Sequence, residues 1–184
     1  MRHKNHPIPQ SNFDIKLRKK LHKLSAFYNA GRFDEPLDFI QNLNVEERSG
    51  PRLQNLYGLI LTGVSRHDDA KKAFQKVMDR YPHSHEAFAN MGLLEKRIGN
   101  LNRASVLLSK SIKLHLNISH LYYNLANIQL ENSDFSEAIK NYQQALVINP
   151  KFVEGFHNLG VAQNLNSDSA AAKSSFKYYQ ALEK

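Results

Sequence analysis

Residues 119–150, SHLYYNLANIQLENSDFSEAIKNYQQALVINP, decide the fold. The stretch holds two short segments of helical apolar spacing around a polar turn, Asn132-Ser133-Asp134, and closes on Pro150. Its small residue Ala126 and its alanine Ala138 recur along the chain in steps of 34. Gly58, Gly92, Ala126 and Gly160 make one column, and Ala70, Ala104, Ala138 and Ala172 make another. A third column reads Gly31, Ser65, Gly99, Ser133, Ser167, and a fourth reads Ile40, Phe74, Leu108, Tyr142, Phe176. Four columns in one register, without an insertion, define a repeat of supersecondary units.

Each column has a physical cause. Leu53, Leu56, Tyr57, Ile60 and Leu61 form the apolar stripe of one helix, and Ala70, Ala73, Phe74 and Val77 form that of the next. Two short antiparallel helices approach closely only where side chains are small, hence the glycine and alanine columns. The Gly/Ser column falls at the turn, where a helix C-cap favours a residue tolerant of left-handed backbone. Asp34, Asp68 and Asp134 follow it and suit the N-cap or first turn of the second helix. Pro82 and Pro150 stand between units, where they stop one helix before the next begins.

On these residues the chain resembles the tetratricopeptide repeat family over about residues 17–184. The best unit has that family's bulky-x-x-Leu-small opening at Tyr122, Leu125 and Ala126, the crossing alanine Ala138, Tyr142-x-x-Ala145 and the closing Pro150. The resemblance implies an all-α, right-handed superhelical solenoid of antiparallel helix pairs, about ten helices in five units. The units fall at about 17–50, 51–84, 85–118, 119–152 and 153–184, behind a mobile basic arm over residues 1–16. The first unit departs from the pattern, with Leu24 in place of the small residue and Pro36 in place of the crossing alanine, as terminal repeats do. Pro36 is tolerable in a first helical turn.

Composition narrows the function. The chain of 184 residues has no cysteine, which excludes disulfides, thiol catalysis and cysteine-ligated metal and leads to the expectation of a cytoplasmic protein. No apolar run reaches the roughly 18–20 residues of a membrane span, and the N-terminal stretch lacks the apolar core of a secretory signal. The net charge is +8, but residues 1–24 hold seven basic side chains against one acid, Asp14. A nearly neutral body is no phosphate-tracking surface, so nucleic acid is not the expected partner. His83 and His85 form an isolated pair without a third donor at ligand spacing; no metal, cofactor or small-molecule substrate is expected. No phosphate loop, dinucleotide fingerprint or nucleophile elbow is present, and the chain is read as non-catalytic.

Family members bind ligands mainly through the first helix of each unit. That resemblance singles out Asn90, Asn124 and Asn158, one per unit in equivalent positions, as a row that bonds the backbone of an extended peptide. The phrases Asn-Leu-Ala and Asn-Leu-Gly are similar to those in the repeats of the protein O-linked N-acetylglucosamine transferases. Tyr123, His157, His120 and Asn127 are expected to add selectivity, and Lys96, Arg97 and Arg52 to meet acidic side chains. Tyr122 and Phe156 are assigned to the core. The expected function is a protein-interaction module holding a partner segment in a concave groove. Two alternatives stand beside it: the substrate-recruiting repeats of a glycosyltransferase-like enzyme, and a scaffold that self-associates through its last helix.

Overall fold

The structure, a computed structural model, describes residues 12–43 and 50–183. Among them are ten helices and no strand: α1 (Asn12–Asn29), α2 (Asp34–Gln41), α3 (Pro51–Gly63), α4 (His67–Arg80) and α5 (His85–Arg97), then α6 (Leu101–Leu114), α7 (Ser119–Glu131), α8 (Phe135–Ile148), α9 (Val153–Leu165) and α10 (Ser169–Leu182). From α3 onward each first helix begins 34 residues after the previous one, and so does each second helix. The fold is all-α, built of antiparallel helix pairs. Residues 1–11 of the expected basic arm lie outside the described residues, and residues 12–16 already belong to α1.

The turn inside each pair is the same structure five times. Gly31, Ser65, Gly99, Ser133 and Ser167 all have positive φ, between 60° and 85°. The N–H of each bonds the carbonyl three residues back, and the next N–H reaches five back, as in Ser133 N to Leu130 O (3.1 Å) and Asp134 N to Gln129 O (2.8 Å). This doubly bonded left-handed cap satisfies carbonyls that a helix end otherwise leaves bare. The aspartates that follow occupy the first turns or cap positions expected of them. The cap bond itself is made by Asp168, whose carboxylate accepts from Ala171 N at 3.0 Å.

The chain divides into two compact units, Met1–Ala73 and Phe74–Lys184. In the first, Leu24, Ile40, Leu43, Leu53, Leu56 and Ile60 form a buried cluster of α1, α2 and α3. Leu24 is fully buried where later repeats carry glycine or alanine, and Pro36 is buried in the first turn of α2. Phe33 lies on Gly63 so closely that a Cβ there would come 2.6 Å from the ring.

The second unit stacks three pairs, α5–α6, α7–α8 and α9–α10. Ala104, Ala126 and Ala138 have no exposed surface, and Gly160 lies under the Phe176 ring. Each core cluster joins a pair to the next first helix. Ala89, Leu108, Ile112, Leu121, Leu125 and Ile128 form one; Tyr142, Ala145, Leu146, Phe152, Leu159 and Ala162 belong to the other. A side chain such as Leu108, fully buried, contributes about 1.5–3 kcal/mol. Tyr122 and Phe156 are half-buried against these clusters.

Candidate functional site

The first helices of the second unit pack directly on one another, α5 on α7 and α7 on α9. Equivalent residues of successive repeats are thereby brought onto one layer. Asn90 on α5 and Asn124 on α7 are half-buried, and neither amide has a hydrogen-bond partner among the described residues. Asn158 on α9 differs. Its Nδ2 donates to Tyr123 Oη at 2.9 Å and to Asn127 Oδ1 at 3.1 Å, while its Oδ1 stands 3.2 Å from His157 Nδ1. Tyr142 Oη, from α8, donates to the same Asn127 oxygen at 2.6 Å. Tyr123, Asn127, Tyr142 and Asn158 thus form a closed polar network across three helices.

Aromatic rings border that network. Tyr123 lies 4.7 Å from Phe152 and 5.8 Å from Tyr142 between ring centres, and His120 lies 4.8 Å from Phe152. His157 meets Phe176 at 5.9 Å and Tyr179 at 5.1 Å, edge to face. Burial, and secondarily the neighbouring Tyr123, push the Tyr142 phenol well above its ordinary range, and the nearby Asn158 amide opposes the shift. Tyr179 is also raised, first by its hydrogen bond to Glu183 and then by burial.

The cationic candidates separate. Lys96 Nζ on α5 pairs with Glu131 Oε1 on α7 at 2.8 Å and so ties two repeats together. Arg97 is exposed and without an ion pair among the described residues; Arg52 is likewise exposed, in the first unit. No three His, Cys, Asp or Glu side chains converge among the described residues. No helix there is long and apolar enough to cross a membrane.

A further column of polar residues follows the same 34-residue step. Glu95, Gln129 and Gln163 recur at 34-residue steps near the ends of the first helices. Gln129 Oε1 accepts from Asn141 at 2.8 Å, and Gln163 Oε1 accepts from Ser175 at 2.7 Å. Glu95 is fully buried and accepts from Asn100 at 2.7 Å, with Arg103 at 3.4 Å. These contacts lock each pair beside its turn, so the column belongs to the scaffold.

Residues 120–152 and residues 56–84 each match the tetratricopeptide repeat. The human protein O-mannosyl-transferase TMTC3 is 31% identical over 98 residues, which are 53% of this chain and 11% of that protein. The photosystem I assembly protein Ycf3 of Cyanophora paradoxa is 33% identical over 64 residues, 35% of this chain and 37% of that protein. The chain therefore spans little more than a tenth of the transferase and about a third of the assembly protein. Among solved structures, MamA from Desulfovibrio magneticus RS-1 superposes with a TM-score of 0.77 at 19% identity, covering 91% of this chain and 95% of that one. At that identity the likeness is one of fold.

Proposed function

We propose that this chain, two of whose repeats match the tetratricopeptide repeat, is a protein-interaction module and that its second unit holds an extended segment of a partner protein along α5, α7 and α9. The observation that carries this reading is the pair of half-buried amides at Asn90 and Asn124, one repeat apart and without hydrogen-bond partners among the described residues. An amide offers a donor and an acceptor on a short stem, which is what a peptide backbone presents in return. Tyr123 and His120, held against Phe152, supply flat apolar surface beside them. Arg97 supplies positive charge. Asn158 and Asn127 support this surface through their own network and are not its gripping groups.

The reading is tested by selecting peptides from a random library on the full chain. N-methylation of the selected peptide's backbone should abolish binding at the residues gripped. Asn90→Ala with Asn124→Ala should weaken binding about tenfold or more while shifting stability by no more than about 0.5 kcal/mol. Asn158→Ala should instead destabilise the fold by about 1–3 kcal/mol, because its half-buried partners Tyr123 and Asn127 lose its hydrogen bonds. Wild-type affinity in the double variant would sink the proposal.

A second reading has one observation in its favour, the match to a human O-mannosyl-transferase over 98 residues. Under it, the same surface recruits a polypeptide to a transferase active site outside this chain. Selected peptides that match acceptor segments of such an enzyme would distinguish it from a free-standing scaffold.

A further inference from the structure

His85 opens α5, and His115 caps the C-terminus of α6. The two helices are antiparallel, so these residues meet at the open end of the hairpin, opposite the Gly99 turn. Their ring centres lie 4.7 Å apart with planes inclined at 56°. One residue holds both. The buried Ser111 donates its Oγ proton to His85 O at 2.7 Å, and its own carbonyl accepts from His115 N at 3.0 Å. Neither imidazole has a hydrogen bond to a described residue. Neither takes part in an ion pair among the described residues.

We propose that His85 and His115 form a two-imidazole site for a late first-row divalent ion such as Zn2+ or Cu2+. Two imidazoles bound in neighbouring positions of one ion, each through nitrogen at about 2.0–2.1 Å, hold their ring centres about 4.5–5.2 Å apart. The observed separation falls in that interval. The torsion that orients an imidazole is broad and soft, so the rings turn their nitrogens to a shared ion at little cost. His115 is exposed and leaves the remaining coordination positions to water. Imidazole nitrogen favours Zn2+, Cu2+ and Ni2+, whereas Ca2+ and Mg2+ seek oxygen. A bound ion joins the start of α5 to the end of α6 and adds a side-chain tie to the Ser111–His85 bond already made at that end. Sequence spacing hid the site, because the partner of His85 is thirty residues away and not its near neighbour His83.

The test uses the full chain and Zn2+, followed by NMR of the imidazole nitrogens, in which each histidine reports separately. On titration, the His85 and His115 signals should move first, together, and saturate at one equivalent. Mg2+ in excess should move neither. Zn2+ should raise the thermal midpoint of the wild type and not that of His115→Asn, whose metal-free midpoint stays at the wild-type value. In that variant the His85 response should require about tenfold more Zn2+ or beyond. Overturning results are shifts that begin at other histidines with these two silent, equal shifts at all histidines, or a wild-type response in His115→Asn.

Discussion

Tyr142 shows how a single side chain connects packing to polarity in this chain. Its ring is fully buried, yet its hydroxyl reaches Asn127 and is linked through it to Asn158. The folded phenol therefore keeps its proton at a pH where an unfolded tyrosine, with its value near about 10, has released it. The stabilising effect is complete below that value and is lost as pH rises above it, because the unfolded state alone gains by ionising. Denaturant midpoints measured between pH 9 and about 11.5 should fall more steeply for the wild type than for Tyr142→Phe, the difference reaching up to about 1.4 kcal/mol per pH unit. Equal slopes would show that the phenol is not held in its neutral form. The columns identify Tyr142 as a core position, and so it is, but a repeat pattern records residue size and not where a hydroxyl points. For that reason Asn158 is legible as a repeated asparagine, while its bond to Tyr123 is not.

At the scale of the helix, the repeated turn is the feature most open to measurement. Three of its five central residues are serine in a left-handed conformation that costs an ordinary residue about 1 kcal/mol or more. Ser133→Gly should therefore raise stability by a few tenths to about 1 kcal/mol, and Gly99→Ala should lower it by about 1 kcal/mol. Thermal denaturation of the two variants checks both signs at once. The turn residues, the small crossing residues and the helix starts at Pro51, His85, Ser119 and Val153 were all legible from the 34-residue step. Two things were not. The start of α1 at Asn12 has no preceding unit to set its register, and α2 ends early, at Gln41. The meeting of His85 with His115 depends on how two helix ends close, which no single-helix periodicity contains.

For the molecule as a whole, stability is distributed by neighbours. The pair α7–α8 belongs to cores on both sides, whereas α10 packs on α9 and exposes Tyr178 to 62%. Repeat arrays derive their stability from such interfaces, and regions with one partner open first. Amide hydrogen exchange should accordingly be slowest in α7 and α8 and faster by about tenfold or more in α10. Uniform protection from α5 to α10 would mean that the second unit unfolds only as a block. The fold was readable at this scale because each repeat restates the same local solution. The binding surface was readable only in outline, since equivalent positions carry different duties: Asn90 and Asn124 stand free where Asn158 is tied.

The recurring left-handed turn also bears on how the chain comes to be folded. It closes each hairpin between helices adjacent in sequence, and the cores then join only neighbouring hairpins. Loops closed in this way are short, so little chain entropy is lost before contacts form, and low contact order favours rapid folding. During synthesis, a hairpin is complete once its own two helices have left the ribosome. Within the second unit, assembly can thus proceed in instalments, with each new pair settling on the one formed before it.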